Sequence, residues 1–342
     1  MERPTRRLLS AADAQSRLAA KRPAGLGYLA MFSSYLGGVV TDPALMTVPI
    51  DDHMVHRGHA VFDTATLTDG RIYRLGAHTR RLLTSARLAR IDHPWSRDDV
   101  VEMVVDTAAA AGVRDGAIRY WLSVGPGGFS FSPQECPEPC FYCVIFEPRP
   151  FLADVAAVLG DVQEVGVAEA TVVDTPMKPR LLARVKSNNY LLNVLTHLEA
   201  ADRGGTFGIL VDGDGSLAES CVLSACVVTP ERVLETPPFD VILAGTTVER
   251  VLALGRSRLV PEGLLTDAVQ RTIDAAHARS GGIVEMFLCG GDTHVIPVTS
   301  WDGVPVGDGA PGPVTRRVKS LLDEEARTGS DDPADLIEVP YG

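Results

Sequence analysis

The sequence contains no apolar run long enough to cross a membrane, and it is short of positive charge. No stretch approaches the roughly 18 uncharged apolar residues that a membrane helix needs. Lysine and arginine number 32 against 44 aspartates and glutamates, which gives a formal net charge of −12. Because neither nucleic acid nor an anionic membrane surface attracts an acidic protein, we expect no nucleic-acid partner and no membrane partner.

Cysteine is also scarce, with six residues in a chain of 342. Such a low content does not form a disulfide framework and indicates a reducing compartment, so we expect a cytoplasmic protein. Cys136, Cys140 and Cys143 lie close together, but prolines separate the first two, and a second cysteine pair and a nearby histidine are missing. This pattern disfavours a zinc knuckle, and we expect no metal site.

The N-terminal segment combines several arginines with alanine and serine and has few acidic residues. An organelle transit peptide has this composition and stays open as an alternative to a cytoplasmic location. A short amphipathic helix over residues 8–21 explains the same pattern more simply, and we prefer it. The arginines concerned are Arg3, Arg6, Arg7 and Arg17.

The chain length predicts two domains, because 342 residues exceed what one hydrophobic core usually serves. A linker is indicated by Pro148 and Pro150 and by a change in the local sequence pattern. We predict an N-terminal helical extension at 1–27, a small α/β domain at 28–147, a linker at 148–153 and a large domain at 154–342. Helical and strand patterns alternate irregularly, which favours a mixed α/β (α+β) fold over a doubly wound sheet.

Several elements are predicted by local pattern. Alternating residues at 61–67 and 71–75 flank Asp69-Gly70, a strong hairpin signal. Helices are predicted at 78–90, 97–112 and 313–326, and another begins at Thr247. The other predicted strands are 117–124, 140–146, 155–158, 163–167, 207–211, 221–228, 233–235, 241–243, 284–288 and 295–298.

One lysine lies where the sequence changes from irregular to helical. Lys186 is in the middle of residues 183–190, which run into an apolar i, i+3, i+4 pattern that predicts an amphipathic helix ending at Gly204-Gly205. A solvated surface lysine is the ordinary explanation. However, a helix dipole disfavours a cation at this end, and a partly desolvated lysine amine becomes a nucleophile. The apolar positions are Leu191, Val194, Leu195, Leu198 and Ala201.

Four short motifs occur in a fixed order along the chain. They are His78-Thr79-Arg80-Arg81 at a helix start, Lys186-Ser187-Asn188-Asn189-Tyr190, residues 215–220 after a turn, and residues 243–247 at another helix start. In this order and spacing they resemble the fold-type-IV pyridoxal-phosphate enzymes, the family of branched-chain and D-amino-acid aminotransferases and aminodeoxychorismate lyases. The strongest resemblance is to the plant-type D-amino-acid transaminases, through residues 51–64 and 118–127.

The resemblance implies pyridoxal 5′-phosphate as the cofactor and gives each motif a role. Lys186 would form the covalent internal aldimine and then move the proton of the substrate. Glu219 would keep the pyridine nitrogen protonated, and Tyr190 would hydrogen-bond the ring phenolate. Arg81 would hold the phosphate; Arg80 is the competing choice, but the family places its arginine three residues after the histidine.

Backbone at a helix start and in a glycine pair would complete the phosphate site. The amides and hydroxyls of Thr246 and Thr247, after Gly245, would form a phosphate cradle, although an ordinary helix N-cap would look the same. Gly290 and Gly291 occupy the place of a second phosphate-side loop in the family.

The resemblance also implies a substrate site between the domains and a homodimer. Phe62 takes the place of an aromatic residue that lines the pocket, and Arg119 that of an arginine that binds a carboxylate in branched-chain enzymes. His56 and Arg57, with His59 nearby, are substrate candidates as well, and structural hydrogen bonding explains them equally well.

The sequence departs from the family pattern at three positions. After Glu219 the family usually has glycine and, four positions further on, asparagine; this chain has Ser220 and Ser224. After the phosphate threonine it has Val248, where arginine is common. We expect cofactor binding to survive, because the lysine, the glutamate and the phosphate groups remain, and we expect the changes to affect substrate and reaction type.

We therefore predict a transaminase that acts on an amino acid, by preference a D-amino acid, with a 2-keto acid as acceptor. Alternatives in the same family are a 4-amino-4-deoxychorismate lyase that releases pyruvate and a branched-chain-type transaminase. An alternative from another class is a cofactor-binding protein without catalysis, which the altered sequence after Glu219 would explain.

Overall fold

Two β-sheets with helices packed against them form the described part of the chain, in a computed structural model that covers residues 8–23, 25, 27–148 and 160–342. The helices are α1 (Ala11–Lys21), α2 (His53–His56), α3 (Leu75–Leu88), α4 (Arg97–Ala111), α5 (Val162–Val165), α6 (Arg180–Ala183), α7 (Leu191–Asp202), α8 (Thr246–Leu254), α9 (Ala275–His277) and α10 (Pro313–Thr328).

The strands follow in chain order. They are β1 (Tyr28–Ser33), β2 (Gly38–Val40), β3 (Ala60–Thr68), β4 (Arg71–Tyr73), β5 (Gly116–Ser123), β6 (Cys140–Phe146), β7 (Val167–Glu169), β8 (Ile209–Val211), β9 (Leu217–Ser220), β10 (Ser224–Val228), β11 (Val233–Thr236), β12 (Asp267–Gln270), β13 (Glu285–Gly290), β14 (His294–Trp301), β15 (Val304–Pro305) and β16 (Leu336–Glu338).

The first sheet is antiparallel, with the described strands in the order β16-β4-β3-β5-β6-β1-β2. The predicted hairpin joins β3 to β4: Asp69 and Gly70 both adopt positive φ, at 48° and 74°, as a two-residue type I′ turn requires. The central strands of this sheet pack on α3 and α4 through a buried cluster that includes Tyr120, Leu82 and Val104.

The second sheet is mixed. Its described strands run β12-β11-β10-β13-β14-β15, β9 pairs with both β10 and β8, and β7 lies parallel to β14. Helices α8 and α10 cover one face through residues such as Val251 and Val318, and a second cluster around Leu288 and Trp301 fills the other face. The expected mixed α/β architecture is confirmed, and the pairing is mostly antiparallel rather than doubly wound.

The C-terminal strand pairs with the first sheet, and the predicted division into domains stays a prediction. Residues after 153 were assigned as a block to the large domain, but β16 pairs with β4 and so belongs to the first sheet. Pairing covers the free edge of β4, which would otherwise expose unpaired backbone groups. The predicted linker at 148–153 and the predicted strand at 155–158 lie almost entirely outside the described residues.

Three other local predictions differ from the structure. Residues 162–165 form the helical turn α5, which overlaps the strand predicted at 163–167. The observed strand, β7, begins only at Val167. Residues 241–243 form no strand. The helix predicted at 8–21 is present as α1, capped by Ser10, but it buries none of its side chains.

The apolar stripe of helix α7 is exposed on the surface of this chain. The predicted helix forms, yet its buried positions are Asn193, Thr196 and Ala200, whereas the predicted apolar residues Leu191, Val194, Leu195 and Leu198 are 41–69 % exposed. Periodicity detected the helix correctly but could not show that a different face packs on this chain's own core.

Two further facts concern the chain as a whole. All six cysteines fall within the described residues and are free, and only Cys136 is not fully buried. Of the helices in the described ranges, none combines the length and apolar character that a membrane crossing would require.

Candidate active site

Lys186 lies in a connection that is hydrogen-bonded to the first sheet. The main chain between α6 and α7 pairs with the start of β3, because Phe62 N donates to Lys186 O at 2.9 Å and Asn188 N donates to Ala60 O at 2.9 Å. Lys186 N donates to Ser85 Oγ on α3 at 3.2 Å. These bonds fix the lysine backbone at the junction of the two sheets.

Two aromatic side chains lie close to the Lys186 amine. Its Nζ donates to Tyr190 Oη at 3.2 Å and lies 4.7 Å from the centre of the Phe62 ring. The two rings contact each other edge to face at 4.9 Å. Burial, followed by the nearby Arg81 charge, lowers the pKa of Lys186 to about 7. A large fraction of this amine is therefore neutral and nucleophilic near neutral pH.

A second lysine, Lys178, borders the same cavity and is positively charged at neutral pH. Lys178 Nζ lies 2.7 Å from Glu219 Oε1, and both side chains are largely buried. Burial alone opposes its charge, but the Glu219 carboxylate raises the pKa of Lys178. Between the two, Lys186 is the one suited to act as a nucleophile, because a protonated lysine has no free electron pair.

Arg81 makes a two-point ion pair inside the protein. Its Nε donates to Asp63 Oδ2 at 2.8 Å and its Nη2 to Asp63 Oδ1 at 2.6 Å. Burial opposes the charge of Asp63, but the Arg81 guanidinium and His78 hold the pKa of that carboxyl well below its usual range. Neighbouring Arg80 is exposed and does not border the cavity, so the choice of Arg81 over Arg80 agrees with the geometry.

His78 connects this pair to the second sheet. Its Nδ1 lies 3.0 Å from Asp63 Oδ1 and its Nε2 lies 2.5 Å from Asp292 Oδ1. Carboxylates that face both ring nitrogens favour the protonated, positively charged form of the imidazole. Burial opposes the charge, but Asp292 and then Asp63 raise the pKa of His78. We call Arg81, Asp63, His78 and Asp292 the buried ionic network.

The start of α8 presents free backbone donors to the cavity. Its N-cap is Gly245, and no side chain of the described residues caps it, so the alternative prediction that a threonine is the N-cap is wrong. Thr246 and Thr247 are buried and border the cavity; Thr247 Oγ1 donates to Asp292 O at 3.1 Å. An uncapped helix N-terminus is a suitable site for an anion.

Close packing explains both residues of the predicted glycine loop. A Cβ on Gly290 would lie 2.7 Å from Leu223 Cδ2, and a Cβ on Gly291 would lie 2.9 Å from His294 Cδ2. Gly291 also has a φ of 53°, which disfavours larger residues. Both glycines border the cavity.

The residues that depart from the family pattern are accommodated locally. Ser220 N donates to Leu223 O at 2.9 Å, and Ser220 Oγ accepts from Leu223 N at 3.1 Å, which closes a tight turn after Glu219. Ser220 has no positive φ, so glycine is not required there. Ser224 pairs with Glu219 across β9 and β10, and Val248 is fully buried beneath the first turn of α8.

The predicted substrate residues fall into two groups. Phe62 contacts Lys186, and the Arg119 guanidinium lies over the Phe62 ring, 5.8 Å from its centre. His56 and Arg57 lie elsewhere: Arg57 Nη2 donates to Phe129 O at 2.7 Å, and the His56 ring packs on Phe129 at 5.0 Å. None of the four lines the cavity around Lys186, and Arg119 lines a different one with Trp121 and Tyr142. The role of all four in substrate binding stays a prediction.

Sequence reasoning missed Lys178, Asp63, His78 and Asp292 as members of the site. His78 belongs to a quoted motif without a role, and Lys178 lies outside the four quoted motifs. A polar residue such as Asp63 within an apolar strand is a weak signal of a buried partner. Asp292, directly after Gly290-Gly291, has the positive φ of a turn, at 70°.

Comparison with known proteins agrees with this geometry. The model of the family "Amino-transferase class IV" matches residues 60–301. The D-amino-acid transaminase, chloroplastic, of Arabidopsis thaliana is 38% identical over 335 residues, which is 98% of this chain and 85% of that protein. A putative branched-chain-amino-acid aminotransferase of Methanocaldococcus jannaschii is 28% identical over 83% of this chain and 93% of its own length.

Solved structures show the same fold. A branched-chain amino acid aminotransferase from T.th., solved with pyridoxamine 5′-phosphate, has a TM-score of 0.78 at 21% identity, covering 92% of this chain and 99% of that one. The Escherichia coli branched-chain enzyme has a TM-score of 0.76 at 24% identity, covering 92% and 100%. With a family match that spans most of the chain and a relative 38% identical along nearly all of it, this protein belongs to the class IV aminotransferases, the pyridoxal-phosphate-dependent transaminases of fold type IV.

Proposed function

We propose that this transaminase binds pyridoxal 5′-phosphate in the cavity around Lys186 and moves an amino group from a D-amino acid to a 2-keto acid. The observation that carries the proposal is the contrast between two lysines in one cavity. Lys186, beside Tyr190, has a pKa lowered to about 7, whereas Lys178 is held in its charged form by Glu219. Only the first suits covalent attachment to an aldehyde.

The residues present fit the cofactor. The uncapped N-terminus of α8 offers backbone donors for a phosphate, with Gly245, Thr246 and Thr247 in its first turn. Gly290 and Gly291 border the same region without side chains. In the buried ionic network, Arg81 Nη1 has no hydrogen bond among the described residues, and it stays available to the phosphate.

The chain's own residues then have separate tasks. When bound, the cofactor supplies an electron-withdrawing ring that stabilises negative charge on the substrate carbon. Lys186 Nζ attaches the cofactor and afterwards takes and returns the proton of that carbon. Tyr190 Oη holds Lys186 Nζ in position, and burial raises the pKa of Tyr190 to about 12, so its phenol stays protonated and able to donate.

We assign the substrate carboxylate to Arg119. Its guanidinium lies over the Phe62 ring, which the Lys186 amine also contacts, and it makes no ion pair among the described residues. A planar guanidinium without a carboxylate of its own is suited to a two-point contact with a substrate carboxylate.

The preference for D-amino acids rests on the Arabidopsis relative, which is named a D-amino-acid transaminase. The branched-chain alternative rests on the names of more distant relatives and of the solved structures. Incubation of the pure protein with D- and L-amino acids and either pyruvate or 2-oxoglutarate decides between them. We expect turnover with D-amino acids, and exclusive turnover of L-leucine, L-isoleucine or L-valine would contradict the proposal.

Arg81→Lys should weaken cofactor binding while leaving a charge for Asp63. Lysine cannot reproduce the two-point fork or the spare Nη1 donor, and a charge-assisted bond is worth roughly 1.5–3 kcal/mol, or about ten- to a hundredfold in affinity. Titration of the apoprotein with pyridoxal 5′-phosphate measures the change. Arg80→Lys is the matched control, and an equal loss in that variant would show that the wrong arginine was chosen.

Glu219→Gln should lower kcat and kcat/KM together. The amide keeps the size of the side chain but removes the negative charge that favours a protonated ring nitrogen, so stabilisation is lost mainly in the transition state. We expect a loss of about 10²-fold or more, comparable to removal of one electrostatic contact to developing charge. Steady-state kinetics measure it.

Thermal unfolding must accompany those kinetics, because Glu219→Gln also leaves the buried Lys178 ammonium without its carboxylate. An unchanged kcat in the folded variant would remove Glu219 from the ring-nitrogen role. A lower melting temperature with normal kcat would make its role purely structural.

We also propose that the protein is a homodimer. Exposed Leu181 and Leu182 on α6 precede the exposed apolar stripe of α7, so this stretch of chain has more exposed apolar side chains than scattered surface residues would give. A second copy of the chain is the occupant that the family resemblance implies. The cavity lies at the start of α7, so such an interface would adjoin the active site.

Leu195→Glu should convert the dimer to a monomer, because a charge in the centre of an apolar interface loses its hydration without a partner. Sedimentation velocity of the wild type and the variant measures the change. Leu18→Glu, on the exposed side of α1, is the matched control and should leave the mass unchanged. A monomeric wild type, or a dimer that survives Leu195→Glu, would contradict the proposed interface.

A cytoplasmic location is proposed on the six free cysteines, which fit a reducing compartment. The Arabidopsis relative is named chloroplastic, and a reporter fused to residues 1–27 tests whether this segment directs import into an organelle.

A further inference from the structure

We propose that Lys178 is a positioning residue that shares the Glu219 carboxylate with the ring nitrogen of the cofactor and so weakens the hold of that carboxylate on the ring proton. The inference rests on the proposed function, since it assumes that Glu219 faces the ring nitrogen. The Glu219 carboxylate would then face two cations, the protonated ring nitrogen and the Lys178 ammonium.

The contact between the two side chains is short and largely shielded from water. Lys178 Nζ lies 2.7 Å from Glu219 Oε1, and the side chains are 14% and 7% exposed. The second oxygen, Oε2, accepts from Leu243 N at 3.4 Å and from no other donor in the described ranges. Oε1 is paired with the lysine by charge but has no hydrogen bond among the described residues. With this ion pair and the long bond from Leu243 N as its contacts there, the carboxylate can still accept from another donor.

Packing holds both residues in place. Glu219 lies on β9, and its neighbour Ala218 belongs to a small buried cluster; Met177, the residue before Lys178, packs against the same cluster. The two backbones are therefore anchored on one set of side chains. The remaining members of the cluster are Val172, Leu210 and Ile242, with Val241 and Phe239 at its edge.

The electrostatic consequence has a definite sign. A carboxylate favours a protonated ring nitrogen by stabilising the positive charge, and a lysine ammonium beside that carboxylate offsets part of this effect. Low effective dielectric strengthens both contributions. The ring nitrogen should then lose its proton at a lower pH than it would beside Glu219 alone.

The test is the titration of the ring nitrogen itself, which does not depend on turnover. The holoprotein is reconstituted with pyridoxal 5′-phosphate labelled with ¹⁵N at the pyridine position, and the ¹⁵N chemical shift is followed against pH. Lys178→Met removes the charge and keeps most of the side-chain volume. We expect the midpoint to rise by about one pH unit or more in this variant, and to return to the wild-type value in Lys178→Arg.

A double variant tests whether the lysine acts through Glu219. The rise caused by Lys178→Met should fall to less than half when Glu219 is already changed to Gln. An equal rise in that background would show that the lysine acts by its charge alone and would overturn the proposal.

Two further outcomes are distinguishable. Identical titrations in wild type and Lys178→Met, including the absence of any titration in both, would overturn the role of Lys178 while leaving the cofactor site intact. A wild-type protein that shows no bound ¹⁵N signal would overturn the proposed function and this inference together.

Discussion

Lys186→Ala should abolish transamination while the protein stays folded. The substitution removes the amine that attaches the cofactor and the base that moves the substrate proton, so we expect kcat to fall by about 10⁴-fold or more. The fold should survive, because the hydrogen bonds that hold this segment to β3 and α3 come from its backbone. Steady-state kinetics and borohydride trapping of the bound cofactor measure the two consequences.

Lys178→Ala is the matched control, since the two lysines border one cavity. It should retain a borohydride-trapped adduct, whereas Lys186→Ala should lose it. Retention of both the adduct and the activity in Lys186→Ala, with loss of the adduct in Lys178→Ala, would reverse the assignment of the two lysines.

The pH dependence of trapping gives the same assignment an independent check. An amine whose pKa is lowered to about 7 is mostly neutral above that pH, so cofactor attachment should slow as the pH falls below about 7. An ordinary lysine at its unperturbed pKa of about 10.4 would slow at much higher pH.

Much of the site could be predicted from sequence because its parts are locally encoded. The Thr246-Thr247 segment does start a helix, Gly290-Gly291 does end a strand, and Lys186 does precede one of the helices. Each of these features depends on a few residues that are adjacent in the sequence, so local sequence signals predict it well. The family resemblance favours Arg81 over Arg80, and in the structure Arg81 borders the cavity whereas Arg80 is exposed.

Contacts between distant segments could not be predicted in this way. Lys178 meets Glu219, and His78 meets Asp292, although long stretches of chain separate the members of each pair. Strand β16 returns to the first sheet from the end of the chain. Nothing in the local composition specifies these partners, because each pair forms only when the chain has folded and its distant segments lie side by side.

The apolar face of α7 has a related explanation. Its periodicity predicts a helix with one apolar side, but it does not show whether that side meets this chain or another. The exposure of Leu191 and Leu198 favours the second possibility. A sequence pattern can therefore identify a helix correctly and still leave open the surface that its apolar side covers.

The buried ionic network offers the largest expected effect on stability. Asp63 is completely buried, and three of its hydrogen bonds go to Arg81 and His78. Through His78 it is connected to Asp292, whose carbonyl also accepts from Thr247. One carboxylate on β3 therefore holds the arginine proposed to bind phosphate, and it is also connected to the start of α8, where the phosphate is proposed to lie.

Asp63→Asn should strongly destabilise the apoprotein, although it hardly changes the size of the side chain. The amide has almost the same size, but it leaves Arg81 and His78 buried without their shared anion, and removing one member of a buried ion pair typically costs about 3–5 kcal/mol. We expect the melting temperature to fall by roughly 10 °C. Asp69→Asn is the matched control, because Asp69 makes only exposed ion pairs with Arg71 and Arg114, which are worth about 0–1 kcal/mol each.

The pH dependence of this loss follows from the direction of the Asp63 shift. The folded pKa is depressed, so the stabilisation is complete above the unfolded pKa and disappears as the pH falls through the folded value. The part of the difference in unfolding free energy that comes from the Asp63 carboxylate should therefore persist down to about pH 5 and shrink only at strongly acidic pH. Because Asp63 also raises the pKa of His78, the variant loses a second part, which decreases as the pH rises through the titration of this histidine. Urea unfolding at several pH values measures this difference, and a loss no larger than that of Asp69→Asn would mean that the network contributes little to holding the two sheets together.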